Sequence, residues 1–590
     1  MIPADATQYT IRSRVNSFAL QFSDRVLLYS GYQRKWVVLP VSAAAVVTPQ
    51  NDHALIVDGT TLHGWSPRYG TIDTITVSNN AVFLPNPPSA TYVVTVQDGN
   101  DFHAYGSYAA RWSTLSLPTP AVAAEQHRRC AIVHDGTMAY GYSSYSGDWV
   151  ATPAPEPGIA LFASGDVCFA NSQQIVRGFS APTSSWSSTV VADSSNLSLE
   201  ASLGYIEDQG EVLVFSGNRG AFSSYTPNGS YVLDTGSETL AIEDQNGVTC
   251  YSSIRNSWAT LPISGATSLE LGDDVCVVTT TNQCAAYSGV TGQWSPVLTG
   301  AFTASVGTCM AFVDDGIAQR YAYTALGNRW LPVPTVLPFV AAEVLGHSVL
   351  VTHTQGFSGI GARFDQWQTL VTQPGATVSV PNNRGRTAMV TDTNRISAWN
   401  GRLNRWASVQ VDPNTLTTAS VRFSSSLLED GDRAFAFGVP GKAYDGVTLS
   451  GDTVLAATAG SGISYVQTDD HMHAYSPLAT LTPTTSFPET DGFAHIGRST
   501  EVQQVALPGS LVTLLVGFAP TSTVTPFGEL LVDTPLFLPA PLIPTAGNLL
   551  LEIPVPNEPG LIGYPVHLQS AITPPAGLPY LTGSTSMVLL

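Results

Sequence analysis

Over most of the chain, apolar and polar positions alternate with a period of two, in short runs separated by Gly, Asp and Asn. The stretch SLELGDDVCVVTTTNQCAAYSGVTGQWSPVL divides into SLELG, DDVCVVTT, NQCAAYSG and GQWSPVL, four runs rich in Val, Leu, Tyr and Thr. Runs of about 4–8 residues bounded by turn residues predict short strands. EVLGHSVLVTHTQGFSGIGARFDQWQTLV divides in the same way. Between the second and third run several units carry an acidic or Asn turn, as in VDGTTLHGW, HDGTMAYGY, VDDGIAQRYAY, TDTNRISAW and TDDHMHAY. Asp and Asn followed by Gly tolerate the positive φ that tight hairpins need, so these acids are first of all turn residues.

A second pattern overlies the first. Two aromatic residues seven positions apart recur as Tyr29 and Trp36, Tyr105 and Trp112, Tyr142 and Trp149, Phe179 and Trp186, Tyr251 and Trp258, Tyr287 and Trp294, Tyr323 and Trp330, and Trp399 and Trp406. Weaker copies fall in the same register at Trp65 and Ile72, Phe215 and Phe222, and Phe437 and Tyr444. Phe357 with Trp367 fits with a small insertion, and Tyr475 opens a last copy. Thirteen first anchors between 29 and 475 give a repeat of about 37 residues, and all eleven tryptophans lie on an anchor. Repeated four-stranded antiparallel units with aromatic signatures predict an all-β propeller array of 12–13 units. Propellers usually close with 4–8 blades, so two consecutive rings of six and seven are expected, the alternative being one large ring of 12–13 blades. Tyr, six residues, then Trp before a proline-containing stretch (WVVLP, WATLPI, WLPVP) resembles the kelch repeat over about residues 10–485, without its glycine doublet and with a shorter unit. The resemblance implies the fold and no kelch function.

The register stops near residue 490. After Arg498 there is no Lys, Arg, Trp or Cys, and proline rises. Residues 1–489 are therefore expected to form the repeat region and residues 490–590 a C-terminal β-sandwich, with strands in SLVTLLVGF, GELLVD, GNLLLEIPVP, PVHLQSAI and SMVLL. LPGSLVTLLVGFAP followed by IPVPNEPGLIGYPVHLQSAI resembles the C-terminal sandwich module of secreted planctomycete-type bacterial proteins, which implies a secreted or surface location and no chemistry.

Composition narrows the partners. A formal charge of −20, with two lysines against 22 arginines, repels nucleic acid and anionic membrane surfaces and leaves proteins, neutral glycans or cations. No apolar run reaches the roughly 18 residues of a membrane helix. The start, MIPADATQYT, lacks the features of a signal peptide, so the expectation of an extracellular or surface protein assumes a leader already removed. The six cysteines show no metal-ligand spacing and read as buried thiols, a Cys276–Cys284 disulfide being the alternative.

No catalytic fingerprint can be read. His63, His103 and His473 each lie two residues before a first anchor, and with His471 they are the candidate ligands for a transition metal. Otherwise no cofactor is expected, apart from calcium at turn acids as a minor alternative. Tyr32, Tyr69, Tyr108, Tyr145 and Tyr225 are placed in or beside the turn between the anchors, as candidates for sugar stacking or protein contact. The expected function is a non-enzymatic surface binding or scaffold protein, with homo-oligomerisation as one form. The alternative is a polysaccharide-active enzyme using turn acids such as Asp98, Asp135, Asp314 or Asp392, which would need two carboxylates within about 5–10 Å of each other.

Overall fold

The computed structural model describes residues 9–475 apart from 15–16, 32–34, 51, 86–91, 195, 382–385, 402–403, 423–424, 439–443, 450–451, 460–462 and 470, together with the strands of residues 484–589 and some flanking positions. By contact the chain falls into two compact units. The first comprises Met1–Gly31, Lys35–Val439 and Ala443–Ser476, and the main part of the second is Pro477–Leu590.

Thirteen antiparallel sheets follow one another along the first unit, twelve with at least four strands and the last with three. Numbered in chain order, they span residues 10–40, 46–76, 82–116, 123–153, 160–190, 197–225, 232–261, 268–299, 303–332, 339–371, 377–410, 416–448 and 454–475. Within each sheet the strands run in sequence order, so every connection is local.

The seven-residue aromatic spacing is a hairpin device. Tyr287 lies opposite Trp294, and Ser288 opposite Gln293, across the third and fourth strands of sheet 8. Four residues close the turn, with Gly292 N donating to Ser288 O at 2.8 Å and Gly292 at φ 70°. The fifth residue after the first anchor has positive φ in sheet after sheet: Gly70, Ala110, Gly147, Ser184, Gly220, Asn256, Gly292, Asn328 and Asn404. Paired anchors then stack as tilted rings, from 4.9 Å between centroids at Tyr251 and Trp258 to 5.4 Å at Tyr105 and Trp112.

Each pair also ties neighbouring sheets together. The first anchor packs on the small residue before the anchor of the preceding sheet, Phe179 on Gly141 and Phe215 on Gly178, where an added Cβ would come within 2.5 and 2.7 Å of the ring. The indole reaches back, with Trp186 Nε1 donating to Val150 O at 2.8 Å and Trp294 Nε1 to Ala259 O at 3.0 Å. The hydroxyl following the first anchor reaches forward: Ser143 Oγ donates to Ala181 O and Ser288 Oγ to Ala325 O, both at 2.6 Å. In sheet 10 this register belongs to Ile360, because Thr324 Oγ1 bonds Ala362 O in the same way. Phe357 lies three residues earlier, opposite Leu370, so the expected pairing of Phe357 with Trp367 is not the anchor pair.

Sheet packing runs without interruption from sheet 1 to sheet 13. Sheets 6 and 7 share the cluster of Leu203, Val212, Val214, Leu240, Ile242 and Tyr251, at the point where a first ring of six would have ended. Sheet 13 closes on sheet 1: Ile463 and Tyr465 pack with Phe18, Leu20 and Tyr29, the Phe18 and Tyr465 rings lie 5.1 Å apart, and Gln467 Nε2 donates to Tyr9 OH at 2.9 Å. The all-β propeller array is thus one closed cycle, and the arrangement in two rings gives way to the single large ring. A short connection and a repeated seam let each sheet dock on the next with no natural stopping point.

In the second unit, strands Phe493–Ala494, Tyr580–Leu589, Pro565–Thr573, Leu511–Gly517 and Leu536–Pro539 form a five-stranded sheet in that order. Thr484–Thr485, Ser499–Val505 and Asn548–Pro554 form a second, and Pro520–Thr525 pairs with Gly528–Val532. Val512, Leu514, Leu568 and Ile572 of the five-stranded sheet are buried.

Candidate functional site

Two sets of turns lie at the same end of the sheets, those joining strands one and two and those joining strands three and four. The first set is wired into a belt. Arg129 N donates to Gly165 O, Asp166 N to Ala201 O, Ser202 N to Ser237 O, Glu238 N to Asp273 O, Asp274 N to Thr308 O and Cys309 N to Gly346 O, each bond crossing to the next sheet at 2.7–3.2 Å. Backbone touching backbone means that neighbouring sheets are closest here. At the fourth strands the gap is spanned by indoles instead. The first strands therefore lie nearest the centre of the cycle and the fourth strands at its outside.

Side chains reinforce the belt. Arg129 and Asp166, almost wholly buried, pair at 2.8 Å, and Asp166 also accepts from Tyr145 OH at 3.1 Å and Ser202 Oγ at 3.2 Å. Glu238, half-buried, accepts from Ser202 Oγ at 2.6 Å, Asn218 Nδ2 at 2.6 Å and Ser253 Oγ at 2.7 Å. Burial pushes its carboxyl up to about 7, with nearby Asp166 adding to the effect and the three donors opposing it. Further round, Cys309 Sγ lies 3.0 Å from His347 Nδ1. With Cys309 only 2% exposed, this thiol joins two loops and is closed to a substrate.

The tyrosines expected to face outward are mostly consumed by the same belt. Tyr108 is 7% exposed and stacks on Tyr92 at 5.5 Å and on Tyr145 at 4.8 Å, so little of its ring is left open. Burial pushes its phenol up to about 12. Arg68 lies over the Tyr108 ring, and Tyr69 OH donates to Tyr108 O at 3.1 Å, leaving Tyr69 half-buried. Tyr225 belongs to the opposite end of its sheet, where its OH donates to Asp244 Oδ2 at 2.8 Å and its ring stacks on Trp258. Tyr32 lies outside the described residues.

The histidines are not gathered into a metal site. His63 and His103 occupy equivalent places in adjacent sheets, and the Nδ1 of each lies 2.9 Å from a threonine hydroxyl of its own fourth strand, Thr74 and Thr114. His471 and His473 sit with Asp452 in sheet 13, where His471 Nδ1 lies 2.8 Å from Asp452 Oδ2. Among the described residues no three His, Cys, Asp or Glu side chains stand close enough to share a metal ion. Even with the ring closed, sheet 1 intervenes between the two pairs. All six cysteines are buried thiols outside any disulfide, and Cys276 faces Tyr287 across its hairpin while Cys284 faces Thr279, so the expected alternative of a disulfide between them does not form.

The turn acids hold loops. Asp98 accepts from Ser78 N and Oγ at 2.7 and 2.5 Å, and these bonds lower its pKa. Around Asp135 burial works against ionisation, but donation from Met138 N, Thr137 N and Oγ1, and Tyr140 OH outweighs it and lowers the pKa. Asp314 receives Gly316 N and Arg320, and Asp392 receives Arg395. These four lie in sheets 3, 4, 9 and 11, so no two share a sheet. Repeats of the Asp98 bond at Asp58 with Ser42, Asp208 with Ala192 and Asp244 with Asn228 mark it as part of the unit.

What remains open is the inner surface. Each first strand is an edge strand, and most leave side chains exposed, as at Val46 and Thr48, Ala160 and Phe162, and Val232 and Asp234. Val46, Phe83, Phe162, Val232, Val340 and Leu455, all on first strands, are 38–65% exposed. Interleaved with them are exposed Glu125, Asp234, Glu270 and Glu343, against a single exposed Arg12 among the described first-strand residues. With sheets packing about 10 Å apart, thirteen first strands enclose an opening on the order of 30–40 Å, too wide for their own side chains to fill. In sequence these positions look like ordinary strand residues. Their exposure depends on blade number.

The chain matches no family model and no curated protein. Solved structures similar to it include PorZ of Porphyromonas gingivalis, an essential bacterial surface component of the type-IX secretion system, at 8% identity over 98% of each chain with a TM-score of 0.18. The extracellular domain of BT4673 from B. thetaiotaomicron aligns at 9% identity over 99% of this chain and 92% of that one, with a TM-score of 0.17. Human WBSCR16 covers 36% of this chain and 78% of its own at 9% identity, with a TM-score of 0.21. Likeness this low leaves function to be read from the chain's own geometry.

Proposed function

We propose that the chain is a non-enzymatic binding or scaffold protein of the cell surface or exterior. Its kelch-like ring presents a contact surface to protein or glycan, and its second unit serves as a sandwich-type attachment or spacer module. The observation that carries this reading is the division of labour among the side chains: turn acids, belt carboxylates and turn tyrosines are engaged in holding sheets and loops, while first-strand side chains such as Val46, Phe162, Val232 and Glu343 stay exposed at the inner edges of the sheets. An exposed surface of repeated side chains suits a broad contact, and the turn acids, each bound into its own loop, do not suit acid–base work. Six buried thiols are protected from oxidation outside the cell.

The test is to expose the full chain to arrays of polysaccharides and proteins, measuring retention and product release together. Retention without turnover supports the reading. Release of sugar products, abolished by Asp135→Asn or Asp314→Asn in a folded protein, would overturn it in favour of a polysaccharide-active enzyme.

A further inference from the structure

We propose that the exposed first strands of the ring bind a basic polypeptide that carries apolar side chains. This deepens the binding reading above and rests on it. The surface carries two kinds of group. Phe162 and Val232 represent the apolar kind, 39% and 65% exposed on first strands, each the edge strand of its sheet. Glu125, Asp234, Glu270 and Glu343 represent the acidic kind, on sheets 4, 7, 8 and 10.

Register places four of these in a common layer, while Val232 lies opposite Glu243, two residues from Asp234 along its strand. Glu125, Phe162, Asp234 and Glu270 each lie opposite the second-strand residue ten positions before their sheet's first anchor, namely Ile132, Phe169, Ala241 and Val277. A repeat that places the same register at the same height thus arranges these side chains in one circumferential row. Apolar surface left open to water favours a partner that covers it, and the sign of the row selects which partner.

Charge excludes the nearest alternatives. Nucleic acid and a second copy of this chain, at −20, are both repelled. The chain's own C-terminal stretch after Arg498 has no Lys or Arg and five acids, so it does not complement the row either. A foreign polypeptide with Lys or Arg interleaved with apolar residues satisfies both kinds of group. Its backbone could also pair with an open first-strand edge.

The probe is a fluorescent amphipathic Lys/Leu peptide, with a Glu/Leu peptide as counterpart, titrated against the full chain and followed by anisotropy. The Lys/Leu peptide binds at low salt and the Glu/Leu peptide does not. Charge reversal of Glu125, Asp234, Glu270 and Glu343 to Lys weakens binding by about tenfold or more. Reversal of four exposed acids elsewhere, Asp24, Asp193, Asp365 and Asp432, changes net charge equally and weakens it less than about threefold. A second variant, Phe162→Ser with Val232→Ser, leaves every charge in place and also weakens binding. Equal loss in both charge-reversed proteins would reduce the effect to net charge and overturn the inference, as would no binding at all. If the unaltered chain is retained on the protein or glycan arrays yet ignores the Lys/Leu peptide, the inference fails while the binding reading stands.

Discussion

Replacing Ala110 with asparagine should stabilise the ring by about 1–2 kcal/mol, from two sources that can be separated. Ala110 closes the anchor turn of sheet 3 at φ 54°, its N donating to Gly106 O at 2.7 Å. A Cβ in this left-handed region costs about 1–2 kcal/mol, and Asn tolerates it better than Ala. The second source is Tyr105, the first anchor of the same turn. Its hydroxyl is buried and has no hydrogen-bond partner. In sheets 7 and 9 the equivalent tyrosines, Tyr251 and Tyr323, each donate at 2.7 Å to Asn256 and Asn328, which occupy the turn position of Ala110. Supplying that acceptor should contribute about 1 kcal/mol, the net value of a buried hydrogen bond. Ala110→Gly relieves the Cβ alone and, after the added freedom of the unfolded chain, gains about 0.5 kcal/mol. Urea unfolding of Ala110→Asn, Ala110→Gly, Tyr105→Phe and Ala110→Asn/Tyr105→Phe completes the cycle. A gain in the asparagine variant no larger than in the glycine variant, with no coupling to Tyr105, would refute the reasoning.

Three other outcomes follow from the seams and the belt. Gly141→Ala places a Cβ against the Phe179 ring and should cost about 1–3 kcal/mol, most of it recovered in Gly141→Ala/Phe179→Leu; thermal melts of the two variants check this. Arg129→Met leaves Asp166 buried without its cation and should cost about 3–5 kcal/mol, whereas Arg129→Met with Asp166→Leu costs much less. Stability should also depend on pH with two opposite slopes. Glu238, raised to about 7 in the fold, holds its proton more tightly folded than unfolded, so its contribution falls as pH rises from about 4.5 through 7. Burial holds His53 down at about 3, so its contribution falls as pH drops below about 6.5. Unfolding midpoints across this range should show Glu238→Gln gaining on the unaltered protein above pH 6, and a constant gap would contradict the assignment.

The ring's unit was readable because one physical device repeats. A pair such as Tyr287 and Trp294, opposed across a four-residue turn, needs the same spacing in every sheet, and covering a neighbour's Gly141 or Gly178 needs a large ring at a fixed place. Closure was not readable, because the contact of Tyr465 with Phe18 is made by the same kinds of residue as any other seam. The hydroxyls of Ser143 and Ser288 were visible beside each anchor, but a serine after a tyrosine does not announce a bond to the next sheet. Tyr108 and Tyr145 were placed at the correct turn, yet whether a turn aromatic faces solvent or its neighbour depends on how close adjacent turns come, here 4.8 Å between rings. Tyr225 was misplaced because it follows its second anchor by three residues and so lies at the far end of the strand. The inner row escaped notice for the same reason as closure: strand positions like Phe162 or Glu270 become a surface only when thirteen sheets, and not six or seven, surround them.

The claim on which the inner surface, the seam between sheets 6 and 7 and the closure at sheet 1 all depend is that the thirteen sheets form a single cycle. Particle images of the full chain, averaged in face-on view, test it directly. The account predicts one annulus of thirteen evenly spaced lobes around a wide opening. Two smaller rings side by side, each with a narrow centre, would contradict it.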